Sequence, residues 1–300
     1  MAQTPSHRLL PSRDEFDEDA YLRLNPDVAA GIANGTVGNG WQHFSLHGIR
    51  EKRPFQAKAN RMSGVFPGIA VNDEMFLGDR DHYFDVGETA LHAIQTALAD
   101  ARRSPDTLKR ILDLPSGHGR ALRFIKKAFP HAHLTACDLN ADGVAFCAET
   151  FGAEPVVSRK EVAAIPLPGG YDLIWCGSLF THLPAIQCEA FMRLFQRVLA
   201  PGGILVLTLH GRHYAETVGN GKEATGLARE VEVSLHRQYR QSGFGYVDYP
   251  GQSGYGYSLT HPDFVQARFI TAGWQFIRHR EQGWNRRQDV VVLQRHSPPA

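Results

Sequence analysis

Residues 111–125 read ILDLPSGHGRALRFI, a short apolar run that passes through a glycine-containing turn into a run with helical spacing. An apolar run of this length, bounded by turn residues, suits a strand buried on both faces. Beyond it Ala121, Ile125 and Ala128 fall on one side of a helix. Gly117 and Gly119 let a ligand approach the main chain, because neither carries a Cβ. The free N–H groups where the helix begins favour a polar or anionic ligand group. The stretch therefore predicts a strand–turn–helix unit with a ligand at its turn.

Outward from this unit the same alternation continues. Strands are expected at RILDL (110–114), HLTACD (133–138), EPVVS (154–158), YDLIWC (171–176) and GILVLTL (203–209). Helical spacing covers 120–129 and 186–199, the latter with Phe191, Leu194, Phe195 and Val198 on one face, and a helix from about Val86 to Ala99 precedes them. Alternating strands and helices imply a parallel sheet covered on both faces, an α/β architecture. THPD (260–263) starts a further helix that continues through Ile270 to Gly273, because it combines a capping hydroxyl, an early proline and an acid. Two last strands follow, WQFIRHR (274–280) and QDVVVLQ (288–294). Their connection, EQGWNRR, is too short for a parallel crossover, so they pair antiparallel or lie apart.

The bulk composition bounds the reading. The chain has 300 residues, 43% of them hydrophobic and 21% charged, enough for one large domain and a small one. With 32 basic and 31 acidic side chains, nothing marks a nucleic-acid partner. Four cysteines without a CxxC pair read as reduced core thiols, and no apolar run approaches a membrane span. A cytoplasmic location is expected. Residues 1–14 are expected to form a disordered tail, 15–57 a small helical module, 58–80 a linker and 81–296 the main domain. Within it, residues 210–259 exceed the usual connection by an order of magnitude and read as a substrate cap, with the aromatic stretch FGYVDYPGQSGYGYS at 244–258.

ILDLPSGHG resembles the (D/E)xGxGxG motif of class I, Rossmann-like S-adenosylmethionine-dependent methyltransferases. Asp113 stands in the acidic position, Pro115 replaces the first glycine, and Gly117 and Gly119 match the later two. As a dinucleotide fingerprint the stretch is poorer, since Leu122 occupies the third glycine position. HLTACD, GGYDLIWCGSLFTHLP (169–184) and LAPGGILVLTLHG (199–211) resemble later segments of the same family, in the expected order. The resemblance implies a seven-stranded sheet ending in an antiparallel hairpin, and S-adenosylmethionine as cofactor. It further implies that Asp113, Pro115, Ser116, Gly117 and Gly119 form the cofactor turn and that Asp138 accepts the ribose hydroxyls. Leu139 would lie against adenine, Ser158 would stand where many relatives carry an adenine-binding aspartate, and Cys176 and Gly177 would border the cofactor after the fourth strand.

Neither an (N/D)PP(Y/F) motif nor a Pro-Cys nucleophile follows the fourth strand, which leaves oxygen as the acceptor atom. A hydroxyl acceptor needs a base, and histidine suits that role near neutral pH. His182 follows the fourth strand, and His210 and His213 follow the fifth, all at the carboxyl edge where such sheets bind ligands. His182 leads and the other two are alternatives. The pairs His43/His47 and His131/His133 lack a metal-binding context, so no metal is expected. YLRLNPDV, HFSLHG and REKRPF, between residues 21 and 55, resemble modules found beside glycosyltransferases and methyltransferases of bacterial surface-polysaccharide clusters. Together these readings imply O-methylation of a sugar or sugar-containing intermediate. An O-methyltransferase for another small metabolite and a non-catalytic nucleotide-binding scaffold are the alternatives. The acceptor is thus a small molecule or glycan, and the oligomeric state stays open.

Overall fold

The computed structural model describes residue 13 and residues 16–55, 62–223 and 225–297. The expectation for a tail over 1–14 lies, apart from Arg13, outside the described residues. The chain divides into two units, Met1–Val65 and Phe66–Ala300.

In the first unit, α1 (Glu18–Leu24), α2 (Pro26–Ala33) and α3 (Gly40–His43) are followed by a π-helical turn, Phe44–Gly48. Asp17 caps α1, and Pro26 opens α2, where a missing N–H costs nothing. Asn25, nearly buried, donates from Nδ2 to the carbonyls of Tyr21 (2.8 Å) and Pro54 (3.0 Å), tying the corner between the helices to the end of the module. Phe16, Tyr21, Val28 and Phe44 form its core, with Trp41 and Phe55 against them. A Cβ at Gly48 would collide with the Tyr21 hydroxyl, so the aromatic packing itself requires glycine there.

The second unit opens with a long helix, α4 (Arg80–Asp100), capped by Asp79. Then β1 (Arg110–Asp113), α5 (Leu122–Ala128), β2 (His133–Asp138), α6 (Ala141–Phe151), β3 (Glu154–Val157), β4 (Tyr171–Cys176), α7 (Ala185–Val198) and β5 (Leu199–Leu209) alternate. A helical and hairpin insertion follows, with α8 (Arg212–Gly219), α9 (Arg229–Ser242), β6 (Phe244–Asp248) and β7 (Gly256–Thr260). The chain closes with α10 (Pro262–Phe264), β8 (Trp274–Trp284) and β9 (Gln288–Arg295). The main sheet has the order β3-β2-β1-β4-β5-β9-β8. Strands β1 to β5 run parallel, while β9 lies antiparallel to both β5 and β8. The expected seven-stranded sheet with a terminal antiparallel hairpin is therefore present.

Successive strand residues face opposite sides. Leu112, Ile174, Leu205 and Leu207 join the core under α7, whereas Ile111, Leu173, Trp175, Ile204 and Val206 join the core under α4, α5 and α6. Each such side chain, removed from water, contributes about 1.5–3 kcal/mol. In α4, a Cβ at Gly87 would strike the Arg120 carbonyl and the Phe124 ring, so this glycine lets the helix close on the turn after β1.

The insertion has its own core of Tyr214, Ala215, Val218, Leu235, Tyr239, Tyr257 and Leu259. One local expectation changes here. Thr260 does not start a helix; it ends β7 opposite Phe244, and the capping role passes to His261, whose ring accepts from the Asp263 N–H. Only Pro262–Phe264 is α-helical, and Val265–Phe269 forms a π-helical turn. Strand pairing of Thr260 outweighs its weaker capping preference. Among the described residues no helix is long and apolar enough to cross a membrane.

Candidate active site

The switch in strand order falls between β1 and β4, and the turn after β1 opens at this crevice. Neighbouring strands stitch the turn in place: Leu114 N–H donates to the Trp175 carbonyl (3.0 Å) and Ser116 N–H to the Cys137 carbonyl (3.1 Å). Pro115 sits half-buried between them. Gly117 and Gly119 both have left-handed backbones, with φ of 49° and 75°. Their surroundings differ. A Cβ on Gly119 would lie 2.5 Å from the Phe151 ring and 3.1 Å from Cys147 Sγ, whereas one on Gly117 would meet nothing within 4 Å. Gly119 serves packing of the turn against α6, and Gly117 borders open space.

Asp138, at the tip of β2, reaches back to this turn. Its Oδ2 accepts the Gly117 N–H (2.8 Å) and its Oδ1 the Asn140 N–H (2.9 Å). Asn140 in turn caps α6. The next residue, Leu139, is 60% exposed, an apolar surface beside a half-exposed carboxylate. Ser158 is half-buried after β3, its N–H donating to the Asp138 carbonyl (2.7 Å). Asp113 is 1% exposed, and neither carboxylate oxygen has a hydrogen-bond partner. Burial drives its pKa well above the ordinary carboxylate value; the Asp138 charge adds to this and Arg120 opposes it. An unpaired buried carboxylate costs several kcal/mol, a penalty that a cationic ligand group beside it would relieve.

Residues 66–79 lie over the turn. Arg123 donates to the carbonyls of Phe66 (3.1 Å), Gly68 (2.7 Å) and Gly119 (3.1 Å) and to the Tyr83 hydroxyl (3.1 Å). The Tyr83 hydroxyl in turn donates to Asp73. Asn72 donates to Asp142, which also meets Nε2 of the buried His118 at 2.9 Å. None of these partners was singled out from sequence, because Arg123, Asp73 and His118 stand in no recognisable pattern.

At the carboxyl edge, Ser178 holds a left-handed backbone (φ 62°), a conformation that a non-glycine residue adopts at a cost of about 1 kcal/mol or more. A closed ring of bonds maintains it: Ser178 N–H to Thr208 Oγ1 (2.8 Å), Thr208 Oγ1 to Gln288 Oε1 (2.6 Å), and Gln288 Nε2 to Ser178 Oγ (2.8 Å). The Cys176 side chain is wholly buried, and a Cβ on Gly177 would press on the Trp175 indole. At these two positions only the main chain can border a ligand.

The structure brings His182 and His210 together beneath the insertion. His182 Nδ1 lies 3.0 Å from the Gly256 carbonyl and 3.1 Å from the Tyr249 hydroxyl. Tyr249 and Tyr255 flank its ring, with centroids at 5.9 and 5.1 Å. Burial lowers the His182 pKa. His210 is stacked on Tyr214 at 3.8 Å and 5°, has the Tyr257 ring 5.0 Å away, and places Nδ1 3.2 Å from the Ser258 carbonyl. Burial and the nearby His182 pull its pKa down to about 3. His213 stays apart, exposed on α8. Burial and, after it, the charge of Asp138 raise the Tyr255 pKa, so this tyrosine of the hairpin tip stands near both His182 and the acid at the end of β2. The alternation in GYGYS was the available signal for this strand. A cavity of about 610 Å³ opens elsewhere, between α8, α9 and residues 261–268; its lining includes Arg212, Tyr239 and Arg240 but no residue of the turn, Asp138 or His182.

The donors around the turn match S-adenosylmethionine group by group. A buried carboxylate suits an ammonium, the open space beside Gly117 admits a ligand close to the main chain, Asp138 suits a ribose diol, and Leu139 suits an adenine face. Comparison with known proteins agrees. Residues 111–203, which contain Asp113, Gly117, Gly119, Asp138, Leu139, Ser158 and His182, match a family model described as a methyltransferase domain. A malonyl-[acyl-carrier protein] O-methyltransferase of Bacillus cereus is 28% identical over 51% of this chain and 58% of its own length. A fatty-acid O-methyltransferase of Mycolicibacterium smegmatis is 29% identical over 39% of the chain and 43% of its own length. The chain thus spans about half the length of the curated relatives it matches. Among solved structures, the PH0226 protein of Pyrococcus horikoshii OT3 superposes with a TM-score of 0.51 at 12% identity, over 77% of this chain and 96% of that one, a likeness of fold. The strand order is that of a class I methyltransferase fold, and residues 111–203 match the model of a methyltransferase domain, whose cofactor is S-adenosylmethionine.

Proposed function

We propose that the protein methylates a hydroxyl oxygen, with a sugar or sugar-containing intermediate of bacterial surface polysaccharide as acceptor. The cofactor, when bound, supplies an electrophilic methyl group on sulfur. Asp113 would hold its ammonium, Asp138 its ribose, and Leu139 with Ser158 its adenine, with Gly117 leaving room beside the turn. Transfer is a displacement, so the protein contributes mainly by aligning acceptor and methyl group and by removing the acceptor's proton.

The observation that carries the hydroxyl reading is His182. A carbonyl oxygen can only accept, so the contact with Gly256 puts the proton on Nδ1 and leaves the lone pair on Nε2. Burial keeps the ring neutral at physiological pH. A carboxylate acceptor is already ionised there and needs no base, whereas a hydroxyl must lose its proton. His210, held near a pKa of 3, is a poor proton acceptor, and His213 is exposed. The rings of Tyr249 and Tyr255 beside His182 offer stacking faces for a pyranose, and the polysaccharide-type pattern of residues 21–55 supports the same acceptor class. The free, buried cysteines fit a reducing compartment such as the cytoplasm.

The names of the relatives supply a second reading, esterification of an acyl carboxylate. Incubation with methyl-labelled cofactor separates the two, using nucleotide sugars and cell-wall glycans in one arm and malonyl and long-chain acyl carboxylates in the other. Label on a sugar hydroxyl, with turnover falling about 10²- to 10⁴-fold in His182→Ala, is the expected result. Labelled esters formed equally fast by His182→Ala would overturn it.

A further inference from the structure

We propose that strand β7 fixes the tautomer of both buried histidines, so that His182 becomes a competent base only while the insertion is docked on the sheet. The clause about competence rests on the base reading above; the clause about tautomers does not.

The argument begins with strand geometry. In an antiparallel pair, alternate residues direct both main-chain groups towards the partner strand and the residues between direct theirs outward. Tyr257 and Leu259 lie opposite Val247 and Gly245. Gly256, Ser258 and Thr260 turn their polar groups the other way, to what would otherwise be an open strand edge. The loops after β4 and β5 complete that edge. Gly256 N–H donates to the His182 carbonyl (2.8 Å) and Thr260 N–H to the His210 carbonyl (2.8 Å). Ser258 Oγ donates to the Leu183 carbonyl (2.6 Å).

Two of the edge carbonyls, those of Gly256 and Ser258, each meet one histidine Nδ1. Both carbonyls are acceptors only. A ring with its proton on Nε2 would aim a lone pair at a carbonyl oxygen and leave that buried oxygen without a donor, which costs about 1–3 kcal/mol. The edge therefore selects the Nδ1–H form in each ring. The Tyr249 hydroxyl, 3.1 Å from His182 Nδ1, serves as a second acceptor in this arrangement. Once β7 leaves, both rings lose the group that selects the tautomer, and an Nε2–H ring at His182 cannot accept a proton from an acceptor hydroxyl. Gly256 is the vulnerable point. A Cβ there would overlap the main chain of Val247 and Asp248, forcing β7 away from β6.

Long-range proton–nitrogen correlation spectra of the full-length, histidine-labelled protein read the tautomers directly, with His182→Ala and His210→Ala identifying the signals. The expected spectrum shows both neutral rings as Nδ1–H. An Nε2–H pattern at either ring overturns the inference, whatever the activities of the variants. In Gly256→Ala, His182 should become a mixture of tautomers and kcat should fall about tenfold or more, with cofactor affinity changed less than about twofold. Native kcat together with a mixed tautomer would overturn the link to catalysis. If Gly256→Ala fails to fold, the native spectrum still decides the tautomers. Full activity of His182→Ala beside an Nδ1–H native spectrum would remove the base reading and the competence clause while leaving the tautomer assignment standing.

Discussion

Gly117 and Gly119 belong to one turn, share a left-handed backbone, and should respond to alanine in opposite ways. The backbone alone costs a residue with a Cβ about 1–2 kcal/mol at either position. At Gly119 the new methyl would also enter the contact with Phe151 and Cys147, and overpacking of this kind adds about 1–3 kcal/mol. For a domain of this size each kcal/mol lowers Tm by about 2–4 °C, so Gly119→Ala should melt about 2–12 °C below Gly117→Ala. The order reverses for the ligand. The Gly117 methyl would stand in open space beside the N–H that Asp138 now accepts, the space assigned to the cofactor. Affinity for S-adenosylmethionine should fall at least tenfold, about 1.4 kcal/mol, in Gly117→Ala. In folded Gly119→Ala it should fall less. Thermal unfolding without ligand and isothermal titration with S-adenosylmethionine measure the two effects. A Gly117→Ala protein with native affinity, or two variants equally destabilised and equally impaired, would refute the division of labour within the turn.

Asp138→Ala should weaken cofactor binding by about 1.5–3 kcal/mol in titration, and it should also lower Tm, because the Gly117 and Asn140 N–H groups lose their acceptor. Asp113 has a folded pKa raised above its unfolded value, so it favours folding at low pH and costs stability as pH rises above about 3.8. Asp113→Asn should accordingly be more stable than the native protein at pH 7 without ligand, the gap closing as pH falls towards 4, while binding S-adenosylmethionine more weakly; a constant Tm difference across pH would count against this. The His182 pKa is lowered, so the acid limb of the kcat profile should fall below about pH 6.5, and a limb above that value would assign the base elsewhere. His210 stays neutral to about pH 3, so its contribution to stability is present above about pH 6.5 and lost as pH falls towards 3. His210→Ala should therefore reduce Tm and flatten its acid dependence.

The sheet was legible because its signals are local. Each strand of the parallel half announces itself within a handful of residues, as RILDL and YDLIWC do, and the brevity of EQGWNRR excluded a parallel crossover, leaving the antiparallel pair that the structure has. The ligand turn was readable for the same reason. Asp138 reaches Gly117 across only 21 positions, and one intervening helix fixes that distance. Where local signals compete, the reading failed. THPD has every mark of a helix start, yet Thr260 pairs with Phe244 and its N–H serves the His210 carbonyl, so a tertiary strand contact displaced the cap. Residues 66–79 carry no period at all. What places them is Arg123, whose guanidinium gathers carbonyls from Phe66 and Gly68 across more than 50 positions, and no pattern in sequence marks an arginine for that use.

The two halves of the candidate site differ in the same respect, and the difference bears on how each works. The cofactor half is assembled from a short span of sequence, Asp113 to Ser158, so its geometry exists wherever strands β1 to β4 have folded. The base half needs His182 and Gly256, 74 positions apart, and His210 and Ser258, 48 apart, to meet along one strand edge. Loop-closure entropy must be overcome for such contacts, and contacts of this kind are the ones that open first under native conditions. Cofactor binding should therefore survive perturbations of the insertion that abolish proton removal. The histidines could be nominated from sequence as residues at a sheet's carboxyl edge, but their tautomers could not, because the tautomer belongs to the strand edge that faces them and not to the residues around them in the chain.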